Sequence, residues 1–187
     1  NYVSNRLRGD AGTSFMLKIK RPSTGKTMDI KIKRKSIKLP EIPYYGMRPG
    51  NIGYINLNSF PEGCAREMRR AFIDLKKQGA TGLVLDLRGN GGGLLEQAVD
   101  VASNFVPKGT EIIRTIARDK EDNKVYKTIH KPVYPDIPLA VLIDGGTASA
   151  SEILAGAMQD LDRGLLIGSR SFGKGLVQTT RCLLYTS

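Results

Sequence analysis

Hydrophobic and polar positions alternate with period two in the first forty residues. Phe15, Leu17 and Ile19 interleave with Met16, Lys18 and Lys20, and Met28, Ile30 and Ile32 with Asp29, Lys31 and Lys33. That period predicts two half-buried strands, a hairpin over residues 12–36 turned by "RPSTGK". After "KLPEIPYYGMRPG", whose prolines and glycines predict a linker, the pattern changes. "IGYINL" predicts a strand. In "SFPEGCAREMRRAFIDLKKQG", Ala65, Met68, Phe72 and Leu75 recur at helical spacing, with Ser59 and Glu62 suited to a capping box, Pro61 to a first turn and Gly79 to the stop.

"GLVLDL", Gly82 to Leu87, is a nearly unbroken apolar run and predicts a central strand covered on both faces. "RGNGGG" turns the chain into a helix at "LLEQAVDVASNFV", with Leu94, Leu95, Ala98, Val101 and Phe105 predicted inward. "EIIRTIARDKEDNKVYKTIH" predicts a hairpin with a charged tip. "LAVLID" and "GLLIG" predict two more buried strands, "SASEILAGAMQDL" a helix beginning near Ser149, and "GLVQTT" a strand. Strands alternating with helices give an α/β core.

Composition changes this picture little. The 187 residues are 40% hydrophobic and 25% charged, ordinary for a globular chain. No run of about 18 apolar residues occurs, so no membrane-spanning segment is predicted here. The net charge of +11 is uneven: residues 1–50 carry twelve Lys/Arg against three Asp/Glu, the rest seventeen against fifteen. The lysine-rich hairpin face carries no interleaved aromatics for base stacking, so it reads as a solvated face rather than a nucleic-acid surface. Cys64 and Cys182 have neither metal-ligand spacing nor a disulfide framework. The final "CLLYTS", residues 182–187, resembles the translation of a sequencing-library adapter, and the natural sequence is expected to be interrupted near Arg181.

"GSRSFGKG", Gly168 to Gly175, nearly spells a phosphate-binding loop. Such a loop needs a preceding strand, a Ser or Thr hydroxyl for magnesium after the lysine, and a following helix. Gly175 takes the hydroxyl's place and "LVQTT" is β-branched, so two of the three fail. Lys174 has another use. In apolar surroundings a lysine gives up its proton readily, and the free amine can serve a serine as general base. Ser149 lies where a strand ends and a helix begins, with the Ala150 amide beside it at the positive end of the helix dipole. Taken alone, Ser149 or Ser151 reads as a helix N-cap. "RGNGGG" supplies a second glycine-rich turn able to aim amides inward. His130, the only histidine, falls in a charged insertion and reads as a surface residue, which leaves a Ser-Lys arrangement.

Three motifs in order, "LVLDLRGNGGG", "GGTASASEILAGAMQD" and "GSRSFGKGLVQ", resemble those of the C-terminal processing peptidases, also called tail-specific proteases. "LRGDAGTSFMLKIKRP" resembles the end of the PDZ domain that precedes that core. The resemblance implies a Clp-protease/crotonase-like β-α core with a β-rich PDZ remnant. It divides the chain into 1–38 (C-terminal part of a PDZ domain, truncated), 39–50 (linker), 51–181 (serine peptidase core, truncated) and 182–187 (non-native tail). It implies Ser149 as nucleophile, Lys174 as general base and Gln178 as the residue orienting the lysine. The oxyanion donors would be the amides of Ala150 and of Gly93 or Gly92. It implies no metal or cofactor, substrates with apolar C-terminal tails, no nucleic-acid partner and an extracytoplasmic location, and it allows a homo-oligomer. Two rivals are a crotonase-type hydratase, which needs acidic catalytic residues, and an inactive peptide-binding scaffold.

Overall fold

A computed structural model describes residues 2–36 and 42–178. The chain divides into two units, Asn1–Leu39 and Pro40–Ser187. In the first, a short helix α1 (Tyr2–Leu7) precedes an antiparallel hairpin of β1 (Ser14–Lys20) and β2 (Thr27–Lys33). Its register pairs Phe15 with Ile32, Leu17 with Ile30 and Ile19 with Met28. The alternation read in the sequence thus becomes one apolar face and one lysine face. Arg34 fastens α1 to the hairpin. Its guanidinium donates to the carbonyls of Leu7 (2.9 Å) and Arg6 (3.2 Å) and to the Thr13 hydroxyl (3.0 Å), taking the last carbonyls of the helix.

The second unit opens on β3 (Tyr44–Arg48) and β4 (Ile52–Asn56), which pair antiparallel. The predicted linker therefore contains an edge strand; residues 39–41 lie outside the described residues. Helix α2 (Cys64–Lys77) follows. It begins five residues after the predicted Ser59 cap, with Gly63 (φ 89°) before it. Phe60 is used elsewhere, in a parallel bridge to Gly93, and the Ala65 amide is instead capped by the Gln97 side chain at 3.0 Å. The predicted stop at Gly79 (φ 86°) is a Schellman ending: the Gly79 amide bonds the Lys76 carbonyl and the Ala80 amide that of Leu75.

Then come β5 (Gly82–Asp86), α3 (Leu95–Ala102), the hairpin β6 (Glu111–Thr115) and β7 (Lys124–Lys127), β8 (Leu139–Ile143), α4 (Ala150–Asp160) and β9 (Leu165–Gly168). The sheet order is β3-β4-β5-β8-β9, parallel from β4 to β9. Its core is built by Met68, Phe72 and Leu75 of α2, Leu83 and Leu85 of β5, Val101 of α3 and Leu154 and Met158 of α4, all buried. Phe72 meets Phe105 edge-on at 5.0 Å between ring centres.

Other expectations differ. β9 is an edge strand with Leu165 66% and Ile167 47% exposed, not a buried one. Residues 175–178 of the predicted strand "GLVQTT" form no ladder; Thr179 and Thr180 lie outside the described residues. Leu94 is 46% exposed rather than inward, since its backbone is held by the Phe60 carbonyl (2.8 Å) before the helix begins.

Candidate active site

Two loops leave the carboxyl ends of neighbouring parallel strands, the usual place for a site in an α/β sheet. Residues 87–93 follow β5 and residues 144–149 follow β8. Side chains clamp each loop to the other. The Asp144 carboxylate accepts the amides of Gly89 (2.8 Å) and Gly146 (2.9 Å), and the Thr147 hydroxyl donates to the Leu87 carbonyl (2.8 Å). The Gly89 amide, helped by the other donors, holds the Asp144 carboxyl below the usual carboxylate range. Fully buried Asn90 does more. Its carbonyl accepts the Ala148 amide (3.0 Å) and the Ser151 hydroxyl (2.9 Å). Its side chain donates to the Leu57 carbonyl (2.8 Å) and accepts the Gly92 amide (2.9 Å).

At the base of the first loop, Arg88 forks onto the Asp86 carboxylate at 2.9 and 2.6 Å, and the Tyr54 hydroxyl donates to the same group at 2.6 Å. Burial pushes the Asp86 carboxyl up, but the Arg88 and Tyr54 hydrogen bonds outweigh it and hold it below its ordinary range.

Ser149 is the residue before α4, with φ 59° and ψ −118°. An ordinary N-cap residue sits in the extended region. A side chain in this conformation costs on the order of 1–3 kcal/mol and persists only where its surroundings fix it. Gly92 (φ 99°) provides part of that surrounding: a β-carbon there would stand 2.7 Å from the Ala148 carbonyl oxygen and 2.9 Å from the Ala150 nitrogen. In the Phe60–Gly93 bridge, the Phe60 amide bonds the Gly92 carbonyl and the Leu94 amide bonds the Phe60 carbonyl. The Gly93 amide therefore points away from Phe60. Among the described residues neither it nor the Ala150 amide donates to a protein acceptor. Of the two glycines considered from the sequence, Gly92 has its amide taken by Asn90, which leaves Gly93.

The carboxylate of Glu152, on the first turn of α4, reaches back to the Ser149 amide (Oε2, 2.8 Å). It also takes the amides of Lys174 (Oε2, 2.9 Å) and Gly173 (Oε1, 2.6 Å) and the hydroxyl of Ser171 (Oε1, 2.7 Å). Burial raises this carboxyl, and the four donors more than reverse that, leaving it below its ordinary range. Ser149, Ala150, Gly93, Lys174 and Gln178 line one cleft of about 440 Å³. The Lys174 amine donates to the Gln178 side-chain oxygen at 3.0 Å. Lys174 is exposed, so the apolar seat expected for it is not formed among the described residues. His130 is exposed and lies outside the cleft. Among the described residues no three His, Cys, Asp or Glu side chains gather to hold a metal ion.

Residues 51–186 match Peptidase family S41. The chain belongs to peptidase family S41. It is 41% identical over 182 residues to a probable CtpA-like serine protease of Staphylococcus epidermidis, covering 97% of this chain and 36% of that protein. It is 43% identical to the carboxy-terminal-processing protease of Bartonella bacilliformis, covering 96% of this chain and 42% of the relative. Among solved structures, the photosystem II D1 C-terminal processing protease superposes with a TM-score of 0.66 at 35% identity, over 95% of this chain and 49% of that one. The chain thus spans less than half the length of these relatives. The likeness expected from the three motifs is therefore shown, and with it the peptidase fold.

Glu152 was given no role from the sequence. The signal was present, since Ser149 and Glu152 have capping-box spacing. Asn90 and Asp144 carried no sequence signal beyond their places in glycine-rich turns.

Proposed function

We propose that this chain carries the catalytic core of a serine endopeptidase that cuts protein substrates near their C-termini, with Ser149 as nucleophile and Lys174 as general base. The observation that carries the reading is the single Glu152 oxygen that accepts both the Ser149 and the Lys174 amides. It brings a strained serine and a lysine to one cleft beside two undonated amides.

In the reaction, the neutral amine of Lys174 takes the Ser149 proton as Oγ attacks the scissile carbonyl. The oxyanion settles on the amides of Ala150 and Gly93, and Lys174 returns the proton to the leaving amine. Water then releases the acyl group from Ser149 by the reverse transfer. Gln178 orients the amine. No step calls on a metal or cofactor. The substrates are proteins whose apolar C-terminal tails are presented to the cleft. Residues 1–38 are the C-terminal part of a PDZ domain, the enzyme works outside the cytoplasm, and it can assemble as a homo-oligomer.

The test is cleavage of casein by the full-length protein beside its Ser149→Ala and Lys174→Ala variants. Loss of cleavage in both variants supports the dyad. Near-parental activity of Lys174→Ala removes the lysine from its role. A folded parent that never cuts, even with apolar C-terminal peptides added, favours the inactive peptide-binding scaffold, a reading that the exposure of Lys174 keeps alive.

A further inference from the structure

We propose that Glu152 is a positioning residue for this reaction, setting the lysine-bearing loop against the serine-bearing turn while keeping its own charge away from the lysine amine. The inference rests on the Ser-Lys reading and extends it to a residue that touches no reacting atom.

The loop from Ser169 to Gln178 has neither helix nor ladder to hold it. Among the described residues, its hydrogen bonds to the rest of the unit are the Ser169 amide to the Ile143 carbonyl (3.3 Å), the Phe172 amide to the Thr147 carbonyl (2.9 Å), and the three bonds to Glu152 from Ser171, Gly173 and Lys174. A fourth Glu152 bond goes to Ser149, the residue with φ 59°. One carboxylate therefore fixes both partners of the dyad. A 1 Å displacement of reacting groups can cost roughly 10²-fold in rate.

The chemistry of the acceptor matters as much as its position. An ionised carboxylate offers about four lone-pair sites and no donor, and here four donors occupy them. A carboxylate paired with a lysine ammonium would favour the charged amine and disable it as a base. Glu152 makes no such pair; the Lys174 amine rests on Gln178 instead. Of the titratable groups on the two site loops and the cleft wall, Asp144 is held by Gly89 and Gly146, Arg170 lies on the lysine-bearing loop, and Glu96 and Lys124 line the cleft. None hydrogen-bonds Glu152. Protonation of Glu152, or its replacement by glutamine, turns one acceptor oxygen into a donor that faces two donors.

The experiment is steady-state peptide cleavage by the full-length protein across pH 4–9, for the parent, Glu152→Gln and Ser171→Ala, with Ser149→Ala and Lys174→Ala alongside. Glu152→Gln is expected to lower kcat about 10²-fold with KM changed less than about threefold. Ser171→Ala removes one donor and leaves both amide bridges. It loosens the loop without breaking the bridge and is expected to lower kcat roughly three- to tenfold, the worth of one hydrogen bond, with KM and the pH profile unmoved. This second variant tests the idea even where Glu152→Gln fails to fold. Parental kcat in either variant, or a loss confined to KM, would overturn the proposal. Cleavage surviving in Ser149→Ala or Lys174→Ala would instead sink the dyad reading, and this positioning role with it.

Discussion

The Ser151 hydroxyl donates to the buried Asn90 carbonyl at 2.9 Å, across the gap between the two site loops. It is fully buried and its hydrogen is committed, so of the two serines in "SAS" only Ser149 has its hydroxyl on the cleft. Ser151→Ala is expected to destabilise the fold by about 0.5–1.5 kcal/mol, the net worth of one hydrogen bond, since the Asn90 carbonyl keeps the Ala148 amide. Asn90→Ala, which removes two further bonds, costs more. Urea unfolding measures both. Ser151→Ala should keep activity within about tenfold of the parent once folded, in contrast to Ser149→Ala.

Gly92 and Gly93 separate two effects of adding a methyl group. At Gly92 the new carbon meets backbone, 2.7 Å from the Ala148 oxygen and 2.9 Å from the Ala150 nitrogen, and φ 99° adds strain. Backbone cannot swing aside as a side chain can, so Gly92→Ala displaces the serine turn itself. At Gly93 the clash is with the Phe60 carbonyl, and the amide that points away from Phe60 turns. Loss of one oxyanion donor typically costs roughly 10²–10³ in rate. Both variants are expected to lose at least 10² in kcat/KM while circular dichroism shows a folded protein. Near-parental kcat/KM in Gly93→Ala would reassign the oxyanion donor.

The parts of this fold that were legible in the sequence are those whose local pattern and tertiary role agree. The Phe15–Ile32 and Leu17–Ile30 pairs fall where period two puts them, and β5 is buried as its apolar run requires, whereas β8 is covered only in part, with Leu139 and Val141 buried and Ala140, Leu142 and Ile143 half-buried. The start of α2 was misread because Ser59 and Glu62 satisfy the capping pattern locally, while Phe60 is claimed by Gly93 from 33 residues away. Tyr44–Arg48 was misread because proline and glycine on both sides announce a loop, yet an edge strand tolerates such neighbours. In the candidate site, residue type and setting were enough to single out Ser149 and Lys174, which the structure brings to one cleft. Glu152 and Asn90 were not, because their roles consist of bonds to backbone amides and carbonyls, which no side-chain pattern records.

The Asp86 carboxyl gives the site a dependence on acid. Its folded form ionises at lower pH than an unfolded aspartate, because Arg88 and Tyr54 hydrogen-bond the anion. Ionised Asp86 thus contributes stability in full above the unfolded range, about pH 3.9, and the contribution fades as pH falls through the lower folded value. Arg88→Ala removes the main donor. The variant should melt below the parent at pH 7, and the gap in Tm should narrow steadily below about pH 4. A gap that is constant with pH would mean that Arg88 acts through packing alone.

Gln178 decides whether the lysine's neighbour must be neutral. Its side-chain oxygen accepts from the Lys174 amine at 3.0 Å and can do so whether that amine is charged or not. Gln178→Glu keeps the shape and adds a negative charge, which favours the ammonium form. A lysine that must be neutral to take the serine proton then needs higher pH to act. At neutral pH each unit of such a shift is worth about tenfold in rate, so Gln178→Glu should cut kcat at pH 7 by at least that much and recover toward pH 10. Gln178→Ala loses the orienting bond but adds no charge, and should lower kcat at every pH without moving the profile. A profile that stays in place for Gln178→Glu would show that proton transfer from Ser149 does not pass through Lys174.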